Sequence, residues 1–405
     1  MRLLFKNVGV LAGIVPSGVL RKQGAEMDDA GVLEGAWLLA EDGLIADFGC
    51  GGAVPSCAEV VDCQGGMLMP SWCDSHTHIV YSGSREGEFL DKIHGLSYEE
   101  IAARGGGILN SADRLHKASE DDLFDEAMVR VREMVAQGTG SMEIKSGYGL
   151  NPSDEMKMLR VIDRIKKAGP ALVRSTFLGA HAVGRGYSHA DYVDAVCDMM
   201  PQAAELADFV DIFCEKGFFT VDDAARVMEA GKRCGLRLKI HANQLTVSGG
   251  VQVGVAHGAL SVDHLEQAGA EEIEALRGSE TMATMLPGSS FFLRLPYGKA
   301  REFIDAGLGV ALASDYNPGS SPSGDMRFVM ALGCIRMRLS PERAFNACTL
   351  NGAYAMGVSD VTGSVTVGKR ADLVLTQPGW SLVKLAYLHH SPYIRQIYIS
   401  GCPVL

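Results

Sequence analysis

Short apolar runs and longer charge-bearing segments alternate eight times between residues 66 and 362, and few folds accept that pattern. The apolar runs end at His78, Lys145, Gly179, Cys214, His241, His264, Leu286 and Asp315. Segments with helical charge spacing separate them, such as 121–137, 153–167, 221–234 and 271–276. Eight strand–helix units suit a (β/α)8 barrel, which typically takes about 250 residues. A doubly wound open sheet also alternates, but it gathers its chemistry at one switch point. Here polar residues close several separate runs, so an α/β barrel over 66–362 is expected.

Residues 1–65 and 363–405 read differently. Short strands are predicted at 3–5, 35–40, 44–48 and 59–63, with Asp42-Gly43 as a hairpin turn. The other end offers 363–368, 371–375 and 394–400. Two β-rich ends around a different middle are expected to pair into one small β domain, a sandwich.

Composition narrows the function. With 405 residues, 47% hydrophobic and 21% charged, the chain can bury a large core and is not disordered. A net charge of −12 argues against a nucleic-acid surface. It leaves anionic metabolites open, since one arginine can hold a carboxylate. The ten cysteines form no Cys-x-x-Cys pair and several sit in apolar runs, as free thiols of a reducing compartment do. No apolar run is long enough to span a bilayer. Residues 1–14 faintly resemble a signal peptide, but Lys6-Asn7 breaks the apolar core, so they read as a strand. A cytoplasmic protein is expected.

In a barrel all strand C-termini meet on one face, and chemistry sits there. That face would collect His76 and His78 from the first strand, His241 from the fifth, His264 from the sixth and Asp315 from the eighth. Residues two apart on a strand share a face, so His76 and His78 can reach one ion. Any one of the five alone reads more readily as a hydrogen-bonded core residue. Together, each at the end of an apolar run, they point to a metal site.

Longer stretches carry a resemblance. His76-Thr77-His78 continues to Gly83-Ser84-Arg85-Glu86-Gly87-Glu88-Phe89, and Ile144-Lys145-Ser146-Gly147-Tyr148-Gly149-Leu150 follows. Leu178-Gly179-Ala180-His181, Lys239-Ile240-His241-Ala242-Asn243-Gln244, Asp263-His264-Leu265-Glu266 and Asp315-Tyr316-Asn317-Pro318-Gly319-Ser320-Ser321-Pro322 complete the set. Over nearly the whole chain the sequence resembles the amidohydrolase superfamily. Its narrower motifs are similar to those of the branch that opens the imidazolone ring in histidine breakdown.

The resemblance implies metal ligands at His76, His78, His241 and Asp315, with His264 beside the ion. Some superfamily members hold two metals on a carboxylated lysine of the fourth strand. That strand, 208–215, has no lysine here, so one divalent ion is expected, zinc or iron, with Mn or Ni as alternatives. Lys145, on the second strand, is expected to pack or to hydrogen-bond. The implied reaction converts 4-imidazolone-5-propanoate to N-formimidoyl-L-glutamate with metal-activated water. Asp315 is expected to relay the proton, with His264 as the alternative. Arg85 would clamp the substrate carboxylate bidentately. Tyr148, His181 and Gln244, with Asn317, Gly319 and Ser320 on the last loop, are the other implied substrate contacts. The implied assembly is a homodimer, with a small anionic substrate as the only other partner.

Two positions depart from the family pattern. Gln244 stands where some relatives have glutamate; an amide can hydrogen-bond but cannot act as a base. Ser71 follows Pro70 where glycine is usual. His94, His116, His189, His389 and His390 lie away from strand ends, and Gly105-Gly106-Gly107 reads as a lid-like loop. Two other functions are conceivable on this scaffold, a purine or pyrimidine deaminase and a silent relative. A neutral base needs no Arg85, and a silent chain would be expected to lose ligands.

Overall fold

The computed structural model describes residues 1–52, 54–96, 100 and 106–404. The first strands are β1 (Arg2–Leu11), β2 (Leu33–Glu41), β3 (Leu44–Cys50), β4 (Glu59–Asp62) and β5 (Gly66–Pro70). Asp42 and Gly43 both take positive φ, 49° and 84°, and turn β2 into β3 as the hairpin signal predicts.

Eight parallel strands follow: β6 (Trp72–Asp74), β7 (Thr139–Lys145), β8 (Leu172–Ala180), β9 (Phe209–Cys214), β10 (Arg237–Ala242), β11 (Ser261–His264), β12 (Met282–Met285) and β13 (Val310–Leu312). They pair in sequence order from β6 to β13. Helices such as Glu120–Ala136, Pro152–Ala168 and Val221–Arg233 separate them. This is the expected (β/α)8 barrel.

Its seam closes beyond the ends of β6 and β13. There Thr77 bridges Tyr316, the Asp315 N–H donates to His76 O (3.0 Å), and the His78 N–H donates to Tyr316 O (2.9 Å). Both seam strands therefore stop short of the residues predicted to end them, and His76, His78 and Asp315 lie on the bridged extension, while His241 and His264 lie within β10 and β11.

The chain returns through β14 (Leu373–Pro378), β15 (Ile394–Ile399) and β16 (Cys402–Pro403). These join one mixed sheet in the order β16-β15-β14-β5-β1-β2-β3, with β4 also on β1. Three strand steps separate β1 from β15, about 14 Å in a flat sheet. Yet the rings of Phe5 and Tyr398 stand 4.8 Å apart. The sheet therefore doubles over its own core, as a small sandwich does. It also takes in β5, so it reaches past the residue-65 limit expected from sequence. All five residues of β5 are buried, and an apolar run of that kind looks like a barrel strand until its partners are known.

The two bodies are tied at Trp72. Its indole N–H donates to Tyr393 OH (2.9 Å), which donates to Gln137 O (3.0 Å). Ser71, the departure from glycine, fits because Gly140 faces it: a Cβ on Gly140 would lie 2.1 Å from the Ser71 hydroxyl. Among the described residues no helix is long and apolar enough to cross a membrane.

Candidate active site

Five of the 11 histidines are buried, and all five meet at the C-terminal end of the barrel. The Nε2 atoms of His76 and His78 lie 3.2 Å apart. Asp315 Oδ1 is 3.7 Å from the first and 3.6 Å from the second. The His241 ring stands 4.5 Å from that of His76, and His264 lies 5.2 Å from His241. The ligand atoms of His76, His78 and His241 fall within 4.8 Å of one another, as do those of His76, His264 and Asp315. The sequence therefore named every member of this cluster.

The cluster fits a metal ion. Zinc binds imidazole at about 2.0–2.1 Å, which puts two nitrogens of a tetrahedral set roughly 3.3 Å apart. His241 Nε2 is buried without a hydrogen-bond partner among the described residues. An unsatisfied buried nitrogen costs about 1–3 kcal/mol unless something ligates it. Three imidazoles and one carboxylate are a donor set that suits zinc or iron. His264 and Asp315 both hold positive φ, 88° and 54°. Such backbone stores about 1–3 kcal/mol per residue and persists only where its surroundings enforce it.

Carboxylates behind the histidines set their tautomers. Asp263 Oδ2 lies 2.6 Å from His76 Nδ1, and Asp211 Oδ1 lies 3.0 Å from His241 Nδ1. Each ring thus carries its proton on Nδ1 and turns the Nε2 lone pair inward. Buried lysines hold these carboxylates in turn. Lys145 Nζ donates to Asp211 and to Glu143, both at 2.8 Å. Lys239 Nζ donates to Glu143 (2.6 Å) and Ser75 O (2.8 Å), and lies 3.5 Å from Asp263. Burial opposes the Lys145 ammonium, but Asp211, Glu143 and Asp263 outweigh it and hold the group above its ordinary range. Burial likewise opposes the Asp211 carboxylate, yet His241 and Lys145 keep it well below its usual range.

Lys145 is thus the hydrogen-bonding residue expected of it. Glu143, Asp211, Lys239 and Asp263 were not anticipated as site residues. The signal available was a charged residue inside an apolar strand, as in Val210-Asp211-Ile212 and Leu238-Lys239-Ile240.

The cluster opens into a cavity of about 810 Å³. Arg85, Tyr148, His181, Gln244, Asn317, Gly319 and Ser320, all predicted from sequence, line it. Three of them differ in detail from expectation. Arg85 does not present a free fork, because Nε and one Nη donate to Glu88 Oε2 at 2.9 and 2.5 Å. Gly319 serves this arginine: a Cβ there would lie 2.1 Å from Arg85 Nη1. Asn317 spends its amide inside the loop, accepting the N–H groups of Gly319 and Ser320 (both 2.8 Å) and donating to Ser320 Oγ (2.6 Å).

His181 stacks on His78 at 5.2 Å and bonds Gly147 O through Nδ1 (2.9 Å). Burial, then the nearby His241, pushes its pKa down to about 3, so it is neutral. Burial also pulls His264 down, but Glu266, Asp315 and Asp263 prevail and leave it raised. Asp315 is raised by burial against the pull of His264 and His241. His94, His116, His189 and His390 are exposed and stay off the site. Of the glycine run, Gly105 lies outside the described residues, while the Gly107 N–H donates to Glu88 Oε1 (3.1 Å).

Tyr148 is positioned by Glu155, whose carboxylate accepts the N–H groups of Gly147 (3.1 Å), Gly149 (2.7 Å) and Leu150 (3.0 Å). Glu155→Gln places an amide NH2 against those donors. The expected loss is about 1–3 kcal/mol of unfolding free energy. Urea denaturation checks this, and unchanged stability would show that the loop holds itself.

The amidohydrolase family model matches residues 67–404, and the chain belongs to that family. An imidazolonepropionase of Flavobacterium johnsoniae is 48% identical over 99% of this chain and 99% of its own length. Another, from Bacillus cytotoxicus, is 38% identical over 98% of this chain and 93% of its own. Within the family, the chain groups with the imidazolonepropionases. Among solved structures, a zinc-bound adenosine deaminase from Xanthomonas campestris superposes with a TM-score of 0.73 at 18% identity, covering 100% of this chain and 92% of that one. Guanine deaminase from C. acetobutylicum, with guanine bound, gives 0.71 at 14%, covering 100% of both. At such identities the likeness concerns the fold.

Proposed function

We propose that the chain hydrolyses 4-imidazolone-5-propanoate to N-formimidoyl-L-glutamate, breaking the cyclic amide C–N bond with water. The observation that carries this is one cavity with a three-histidine, one-aspartate cluster and a guanidinium on its wall. The 48% identity to a protein named imidazolonepropionase supports the same reading. His76, His78, His241 and Asp315 would hold one zinc or iron ion. When bound, such an ion supplies Lewis acidity, polarising a carbonyl and acidifying water.

The protein's own residues do the rest. Arg85 fixes the propionate arm, steadied by Glu88 and pressed on Gly319. Tyr148, His181 and Gln244 line the place of the ring. Asp315 accepts the proton of the attacking water and returns it to the departing ring nitrogen, while His264 donates a hydrogen bond to the developing oxyanion. Ten unpaired cysteines suit a cytoplasmic setting.

Loss of the substrate's ultraviolet band on mixing with pure protein tests the reaction. Ammonia release from guanine or cytosine, with imidazolone-propionate untouched, would favour deamination instead. Arg85→Ala is expected to keep its metal by elemental analysis and to raise KM about 10–100-fold, the worth of a charge-assisted contact. An unchanged KM counts against the arginine.

A further inference from the structure

Besides Arg85 the cavity is lined by two cations that the proposed reaction has not used, Lys92 and Arg294, and Lys92 shares the helix that follows Arg85. Lys92 lies on the helix Glu86–Ile93, seven residues after Arg85, so both side chains project from one face. Both line the cavity. Lys92 Nζ donates to Gly319 O at 2.9 Å and stands 5.3 Å from the ring of Phe292. Phe292 stacks on Phe89 at 5.4 Å, so an apolar wall runs alongside the ammonium.

The charges here do not balance. Glu88 is the carboxylate partner of Arg85, at 2.5 Å. Among the described residues Lys92 has a carbonyl partner but no carboxylate within ion-pair distance. Among the described residues these two cations thus have one carboxylate in ion-pair contact, Glu88, and a third cation, Arg294, also lines the cavity. Burial lowers the Lys92 pKa and the charge of Arg85 lowers it further, against Glu88, so the two cations repel each other across this part of the wall. An ammonium has three donors, and Gly319 O takes one. The others remain for an anion, in a setting where apolar neighbours strengthen the attraction.

We propose that Lys92 is a specificity-determining residue that receives the substrate's carboxylate together with Arg85. It supplies the donor direction that Glu88 denies to the arginine fork, and it makes the cavity select an acid over a neutral side chain. This rests on the ring-opening reading above and names the group that reads the substrate's arm.

Calorimetric titration of the metal-loaded protein separates the two questions. The probes are 4-imidazolepropionate, which carries the same arm on a ring that water does not open, and neutral 4-propylimidazole. Lys92→Met is expected to weaken the acid about 10-fold and to leave the neutral ligand unchanged, with Lys92→Arg restoring most of the loss. In turnover, KM for imidazolone-propionate should rise by a similar factor with kcat largely kept. Equal affinity of wild type and Lys92→Met for the acid overturns the inference, whatever the activity. A wild type that does not open imidazolone-propionate, yet loses its preference for the acid in Lys92→Met, overturns the reaction and supports the anion subsite.

Discussion

His241→Ala is expected to lower divalent-metal affinity about 10²–10³-fold and to abolish turnover. Structural zinc sites with four ligands bind their ion with about 10–16 kcal/mol, roughly 2.5–4 kcal/mol per ligand. His241 is a member that its surroundings hold ready for ligation. Its Nε2 has no other partner among the described residues, and Asp211 fixes its ring from behind. The neighbouring Ala242 and Asn243 side chains offer no imidazole to take its place. Dialysis against graded chelator, followed by elemental analysis, should leave less than one ion per chain in His241→Ala. His390→Ala, at an exposed position, should keep the wild-type content. A fully loaded His241→Ala protein would remove this residue from the ligand set.

The five clustered residues were legible because they stand at or beside the ends of apolar runs, where a polar residue is read by position alone; which four of them would hold an ion came only from the family resemblance. The barrel strands were legible for the same reason: β7, β9 and β11 end at the residues expected, and β8 and β10 one residue later. The seam was read less well. Residues 75–78 and 313–316 follow directly on β6 and β13 and stay buried, but leave the regular ladder to bridge each other at Thr77 and Tyr316. Hydropathy does not distinguish these two arrangements.

The buried ions were harder still. Lys145 and Asp211 are 66 residues apart, and no spacing rule joins two strands separated by a third. Strands covered on both faces read as apolar runs, and a single charge within one looks like an interruption rather than a partner. Glu88 is the opposite case. It sits three residues after Arg85, at the start of a helix, where ordinary helix geometry brings the two together. Its effect on the arginine fork could have been read from the sequence.

Lys145→Met is expected to lower the unfolding free energy by about 3–5 kcal/mol, because removing one partner strands buried charge. Lys145 is fully buried, as are Glu143 and Asp263, and Asp211 is 1% exposed. In the wild type, three carboxylates face two ammoniums; the substitution leaves Lys239 with Glu143 and Asp263, and Asp211 with no ammonium partner among the described residues. Urea denaturation of the metal-free protein measures this without the contribution of bound ion.

The sign with pH follows from Asp211. Its folded pKa is depressed, so its stabilisation is present above the ordinary carboxylate range and is lost as pH falls through the folded value. The difference between wild type and Lys145→Met should therefore shrink on acidification. A charge-matched double variant, Lys145→Met with Asp211→Asn, should recover part of the loss, since it removes a carboxylate with the ammonium. With Asp211 gone, the His241 tautomer is no longer fixed, so metal affinity in the double variant should still be about 10–100-fold below wild type. Recovery of stability without recovery of metal binding would separate the two duties of this cluster, neutralising charge in the barrel and aiming the histidines. A single variant as stable as wild type would mean that Lys239 suffices for the first.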